Sequence, residues 1–308
     1  MNCMMFRGRL ILGCSLAAIW LTACPACRHS TVAAGQSAVP RIVSIVPAAT
    51  DILLQIGAAK LLVGVSSYDR PLLPPALRRL PVVGNYLHID YETLLRLHPT
   101  ALVIQRSRLR IPPRLIALAR QHHFRILNIN LNTLRGLYHT VRMLGKAAGR
   151  LPAAQRRWRR LQRNLRQISR RYARGSHPAV ALLIGTSPIR IVGTDTFLNQ
   201  MISLAGGMNA AEKVGSGYPA IDRGTLVRLA PQILLIAAPG QPRQEGPNDP
   251  RLAAWRRLPI PAAVHHRIFL ITAANFEMLS LAADRQVRLL ARLIHGAAAA
   301  SADAGEKP

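Results

Sequence analysis

Apolar residues recur along this chain at two different periods, and where the period changes, the element changes. Between Arg150 and Arg174, Trp158, Leu161, Leu165, Ile168 and Tyr172 follow one another at spacings of 3, 4, 3 and 4, a single stripe on a helical surface. Pro152 suits the first turn, where its missing N–H is no loss, and Gly175 with Pro178 supplies a stop. About 22 residues at ~1.5 Å each make a rod of ~33 Å, roughly the width of a small domain. A rod of that length between two patterned segments predicts two lobes with a cleft between them.

Segment 40–149 alternates short apolar runs with helical patterns. Ile42–Val46, Leu61–Ser66, Thr100–Gln105 and Phe124–Ile129 predict buried strands, and Pro81–Gly84 a shorter one. Helices are predicted over Ile52–Gly57, after a turn at Pro47–Asp51, from Asp90 through Leu97, and over Pro112–His122. Segment 176–296 repeats the alternation. Its strands are Ala179–Ile184, Gln232–Ala237 and Arg267–Thr272, with a shorter extended piece at Ile189–Gly193. Its helices are Thr196–Ala205, Thr225–Leu229, Leu252–Leu258 and Leu279–His295, and Pro239–Pro250 is a loop rich in Pro and Gly. Such alternation calls for parallel sheets covered by helices. The fold class is therefore α/β: two Rossmann-like α/β lobes joined by one long backbone helix. In open sheets of this kind ligands bind at the C-terminal ends of the strands, where helix N-termini offer free N–H groups.

The first residues change the picture from a fold to a compartment. Arg7 and Arg9 precede an apolar run, Leu10–Leu21, which is too short to span a bilayer and right for a signal-peptide core. It ends in Leu21-Thr22-Ala23-Cys24, which resembles a bacterial lipobox. Cleavage there makes Cys24 the lipid-modified first residue of an extracytoplasmic protein anchored to a membrane. The expected boundaries are a signal peptide over 1–23, a tether over 24–39, an N-terminal lobe over 40–149, the interlobe helix over 150–175, a C-terminal lobe over 176–296 and a disordered tail over 297–308. All four cysteines lie in or beside the leader, so the folded part is expected to hold no disulfide, thiolate metal site or cysteine nucleophile.

Charge is strongly one-sided, with 41 Lys+Arg against 13 Asp+Glu. Nearly all the cations are arginine. They are spread along the chain, which reads first as solvated faces rather than a nucleic-acid site. The exception is the rod, where nine arginines fall between Arg156 and Arg174 with no acid among them. A surface protein that binds polyanions therefore stands as a rival reading. Catalysis finds no support: there is no Gly-x-Ser-x-Gly elbow, no P-loop and no glycine fingerprint after the first strand, and the acids are scattered. No HxxxH or dense carboxylate cluster is present, and the one CxxC spacing, Cys24 to Cys27, lies beside the leader rather than in the folded part, so neither a metal site nor a bound cofactor is expected.

The strings RIVSIVPAATDILLQIGAAKLLVGVSSYDRP, LPVVGNYLHIDYETLLRLHPTALVI and GTDTFLNQMISLAGGMNAAEK resemble the periplasmic substrate-binding proteins of iron–siderophore, haem and cobalamin ABC importers, with the cobalamin branch nearest. The resemblance runs over roughly 40–296. It implies the class III arrangement, with Arg150–Arg174 as the single interlobe helix, and a monomer that passes a metal chelate to a permease dimer. It also implies ligand contacts from cleft loops: Pro47 and Ala48, Ser67 and Tyr68, Tyr86, His88, Tyr218, Asn275 and Phe276. Aromatic faces suit a large flat ligand. His88 is either a ligand to haem iron or a surface histidine before a helix cap. The first choice of cargo is cobalamin, and the second a ferric siderophore or haem. Docking in this family uses one exposed glutamate on each lobe. The first falls at Glu92 in IDYETLLRL. In IDRGTLVRL the matching position is Gly224, with Asp222 as the nearest substitute.

Overall fold

The computed structural model describes residues 39–85, 87–106, 111–241 and 249–296. The leader with Cys24, the tether as far as Ala38, Tyr86 and the tail from 297 lie outside the described residues.

The first lobe holds a five-stranded parallel sheet: β1 (Ile42–Ser44), β2 (Leu62–Ser66), β3 (Val82–Gly84), β4 (Ala101–Ile104) and β5 (Arg125–Asn128), in the order β3-β2-β1-β4-β5. Its helices are α1 (Pro47–Gln55), α2 (Tyr91–Arg96), α3 (Pro113–Gln121) and α4 (Leu134–Ala147). Two of these depart from the sequence reading. Helix α1 begins at Pro47 rather than Ile52, because the proline sits in the first turn and the whole run Pro47–Asp51 is already helical. Helix α4 lies where no element is expected. Thr133 caps it by accepting the Gly136 N–H at 3.1 Å, and Leu137, Val141 and Leu144 bury its inner stripe.

Helix α5 (Leu151–Tyr172) is the rod. Its buried stripe is the expected one, with Ala154, Leu161, Leu165 and Ile168 closed off and Trp158 and Tyr172 partly covered. Near its start it lies so close to α4 that a Cβ on Gly145 would fall 2.6 Å from that of Ala154. Farther along it meets the second lobe.

That lobe comprises β6 (Ala179–Thr186), β7 (Ile189–Ile191), α6 (Phe197–Leu204), β8 (Met208–Asn209), β9 (Ala220–Ile221), α7 (Arg223–Leu229), β10 (Ile233–Ala237), α8 (Ala253–Arg256), α9 (Pro261–Val264), β11 (Ile268–Ile271) and α10 (Ala283–His295). The sheet order is β11-β10-β6-β7-β9, with β8 beside β6. It is mixed rather than purely parallel: β7 runs antiparallel to both β6 and β9. The cause is local, since only Ser187 and Pro188 separate β6 from β7 and a two-residue connection permits only an antiparallel pair.

The rod is fastened to this lobe by Asn164, whose amide donates to Asp284 at 2.7 Å, and by Tyr172, which stacks on His295 with ring centroids 4.3 Å apart. Gly206 makes this approach possible: its φ is +81°, and a Cβ there would lie 2.7 Å from the Tyr172 Cβ. Asn209, which ends the Ala-Gly-Gly-x-Asn string, donates to Val192 O and Asn199 Oδ1, both at 3.0 Å, and so ties α6 to the sheet. One apolar cluster runs from Ile42 and Leu53 through Leu161, Leu165 and Ile168 to Met201 and Leu290, joining both lobes through the rod. Separate clusters cover the far face of each sheet.

Candidate functional site

Because β1, β2 and β3 are parallel, the segments that follow them emerge at one edge of the first sheet. After β1 comes the N-terminus of α1, with Pro47 half-buried and Ala48 buried. After β2 comes a tight turn that carries Ser67 and Tyr68, and Tyr68 stands 46% exposed. The turn is held from beneath by Asp69, which is 1% exposed. The Asp69 carboxylate accepts the Ser66 N–H at 2.7 Å, and the Tyr68 N–H donates to Ser66 Oγ at 3.1 Å. Thr50 of α1, whose hydroxyl lies 2.9 Å from Ser44 Oγ, also bonds this carboxylate. Burial nonetheless dominates and pushes the Asp69 carboxyl up to about 6, against the lowering effect of the Ser66 and Thr50 hydrogen bonds.

After β3 the chain folds back on itself. Asn85 N–H donates to His88 O at 2.7 Å, and Asn85 Oδ1 accepts from Leu87 N–H and His88 N–H at 2.8 and 3.1 Å. This leaves Leu87 and His88 exposed. Gly84 is obligatory here: its φ is +122°, and a Cβ would fall 2.2 Å from His88 O. The Ser67 N–H bonds Gly84 O at 2.9 Å, so the Tyr68 turn and the His88 loop are one unit. Arg106, just past β4, reaches the same loop through Leu87 O at 3.4 Å. Its Nε is buried with no partner among the described residues.

In the second lobe Tyr218 lies half-buried just ahead of β9. Its hydroxyl is pushed up to about 12, first by burial and then by the negative charge of Glu277. Burial raises the Glu277 carboxyl as well. Tyr218 thus lies within electrostatic reach of the β11–α10 loop, which carries Glu277. Asn275 on that loop is exposed, whereas Phe276 is 0% exposed and belongs to the central core. Phe276, expected among the ligand contacts, packs in this structure beneath the loop and borders the cavity beside it. Gln286 of α10 fixes the loop, its Nε2 lying 2.6, 2.9 and 2.9 Å from the carbonyl oxygens of Asn275, Phe276 and Met278. A cavity of about 680 Å³ lies between α1 and this loop, with α5 alongside, and Gln55, Asn164, Asn275 and Gln286 are among its walls.

The two candidate docking segments are built alike. Asp90 caps α2 by accepting the Thr93 N–H at 3.0 Å, and Asp222 caps α7 by accepting the Thr225 N–H at 2.6 Å. In each, an arginine one turn on bonds the threonine hydroxyl: Arg96 at 3.0 Å and Arg228 at 2.7 Å. These hydrogen bonds, with threonine first among the causes, hold both carboxyls below the usual carboxylate range. Asp222 is thus the structural counterpart of Asp90 and serves as a helix cap. The counterpart of Glu92, which projects 81% exposed, is Gly224. A Cβ at 224 would meet only ordinary contacts at 3.6 Å, so a larger side chain fits there.

Asp69, Arg106, Glu277 and Gln286 carry no signal in the sequence that marks them as supports of the site. A lone acid or amide has no period, and only the fold brings each one to the loop it supports. Among the described residues no group of three His, Cys, Asp or Glu is placed to hold a metal ion, and no helix is long and apolar enough to cross a membrane.

The sequence profile of the periplasmic binding protein family matches residues 42–274. The ABC transporter substrate-binding lipoprotein YvrC of Bacillus subtilis is 22% identical over 234 residues, 74% of this chain and 71% of that protein. The vitamin B12-binding protein of Vibrio cholerae is 25% identical over 197 residues, 64% of this chain and 70% of that protein. Among solved structures, the periplasmic haem-binding protein HutB of Vibrio cholerae superposes with a TM-score of 0.69 at 22% identity, covering 83% of this chain and 99% of that one. The periplasmic vitamin B12-binding protein BtuF of the same organism gives 0.68 at 22% identity, covering 82% and 96%. At these identities the superpositions establish a shared fold.

Proposed function

The chain belongs to the periplasmic binding protein family, and from that premise we propose that it captures a corrinoid, cobalamin in the first instance, between its lobes and delivers it to an ABC importer. Membership makes it a solute-binding transport component and not an enzyme. The observation that carries the ligand class is the pair Tyr68 and Tyr218. Each lobe presents one tyrosine on a braced loop, and a flat macrocycle is gripped by aromatic faces at low entropic cost. The vitamin B12-binding relatives favour cobalamin within that class. Haem is the second reading, favoured by His88 and Arg106 on one loop unit: an imidazole suits iron and a guanidinium suits a carboxylate side arm. In either case the protein works as an extracytoplasmic monomer held to a membrane through a lipid on Cys24, a reading that the lipoprotein YvrC supports.

The test is a thermal shift of the purified chain with cyanocobalamin, haemin and a ferric catecholate, together with its visible spectrum. Ligand at about 100 times its Kd stabilises by ~2.7 kcal/mol, a shift of roughly 5–10 °C for a chain of this size. A shift with cobalamin that Tyr68→Ala weakens by about 2 kcal/mol, roughly 30-fold in affinity, supports the first reading. A haemin-only shift with a Soret band that moves in His88→Ala replaces it with the second. No shift with any of the three overturns both.

Permease docking gives a separate expectation. Glu92→Ala should lower capture by the cognate permease several-fold, as loss of an exposed interfacial charge does, without changing ligand affinity. Gly224→Glu, with Arg228 one turn on, restores a carboxylate on the second lobe. If Glu92→Ala leaves capture unchanged, the first lobe does not dock through α2.

A further inference from the structure

We propose that the outward face of α5 is a docking surface for an anionic lipid bilayer. The helix carries eight arginines and no acidic residue. At 100° per residue, seven of them (156, 159, 160, 163, 166, 170 and 171) fall within an arc of about 140° centred opposite the buried stripe. All seven side chains are exposed. The ion pairs found among the described residues are Glu92–Arg96, Asp249–Arg251 and Asp284–Arg288, and none uses an α5 arginine. Several of these arginines repeat at i, i+4, an arrangement that repels along a helix unless an opposite charge faces it. The fold therefore presents a straight row of cations ~22 Å long, a shape that meets a plane.

Beside the row lies a groove of about 690 Å³ between α4 and α5. Its floor includes Val141, Ala154 and Leu165, and its rim includes Arg159, Arg166 and Arg170. Trp158 and Tyr138 line it with ring centroids 5.3 Å apart, and the Arg142 guanidinium lies over the Tyr138 ring. Aromatic rings between an apolar floor and a cationic rim match the headgroup boundary of a bilayer, where phosphate lies above glycerol and acyl carbon. A duplex nucleic acid offers the phosphates but nothing for the apolar floor. The opposite flank of the rod holds a second recess of about 530 Å³ walled by Arg156, Arg160 and Arg163, so the cationic row is bordered on both sides.

The test uses the chain from Arg28 onward, which keeps the whole compact unit from Val39 and carries no acyl group. It is co-sedimented with phosphatidylcholine vesicles made with and without phosphatidylglycerol, at low and high salt. Binding is expected only with phosphatidylglycerol, falling steeply as salt screens the surface. Each arginine near such a surface raises partitioning about fivefold, so the triple variant Arg159→Gln, Arg163→Gln, Arg166→Gln should lose roughly 100-fold. Trp158 fluorescence should shift to the blue on binding. Circular dichroism verifies that the variant is folded, and the triple Arg79→Gln, Arg120→Gln, Arg125→Gln, also at exposed positions, controls for net charge. An equal loss in the control set overturns the proposal. So does absence of vesicle binding, including the case where duplex DNA is bound instead through the same three arginines.

Discussion

Between pH 4 and pH 6 the folded protein is expected to lose stability as the pH rises, and Asp69→Asn should remove most of that slope. The Asp69 carboxyl has an ordinary value of 3.8 and rises to about 6 in the folded state, chiefly through burial. In that window the folded chain keeps a proton that the unfolded chain has released. Stability therefore falls with rising pH and stays at its lower level above the folded value. About two pKa units correspond to roughly 3 kcal/mol. Asparagine keeps an acceptor for the Ser66 N–H and never ionises, so at pH 7 the variant should be more stable than its parent by about 1–3 kcal/mol. Glu277, also raised by burial, adds a slope of the same sign, while Asp90 and Asp222, held low by their caps, add the opposite slope at more acid pH. The readout is thus the difference between parent and variant in urea midpoints at pH 4, 5, 6 and 7. Parallel profiles would mean that Asp69 ionises in the folded state as readily as in the unfolded one, and the account of the turn beneath Tyr68 would fail.

Leu161→Ala should cost about 2–5 kcal/mol and move a single unfolding transition down by roughly 5–15 °C. Leu161 is 2% exposed and sits where the central cluster passes from one lobe to the other. The cavity left behind is lined from both lobes, so neither relaxes into it alone. A calorimetric trace that splits into two peaks, only one of them shifted, would show that the lobes melt separately and that the shared cluster does not couple them.

The rod was legible because its period is unbroken: five apolar residues at helical spacing survive as its buried and half-buried stripe. Helix α4 has a comparable stripe but carries Gly136 and Gly145, which lower helix propensity and make the pattern read as interrupted. Gly145 is there for the close approach of Ala154, a reason that no local window contains. The first lobe's parallel strands followed from their apolar runs, whereas β7 reverses because of a two-residue connection whose geometry the runs do not express. At the site, the Ser67–Tyr68 turn was readable from its place after a strand. Asn275 and Phe276 are neighbours in sequence, yet one is exposed and the next is sealed in the core, a difference that no local window of sequence expresses. Gly224 is matched to Glu92 from the sequence alone, and the shared Asp-x-x-Thr spacing at 90–93 and 222–225, a capping pattern, further marks Asp222 as the counterpart of Asp90.

The cluster that threads both lobes through α5 also limits how relatives of this protein can be recombined. A chimera spliced at either end of the rod would pair Leu161, Leu165 and Ile168 with a foreign set of neighbours on α4, α6 and α10. Among the named elements, those three helices carry the rod's principal contacts. Exchanging only the loops at the strand ends, on an unchanged frame of α4, α5, α6 and α10, is the graft this architecture tolerates, and it offers a route by which cargo preference can diverge while the scaffold stays fixed.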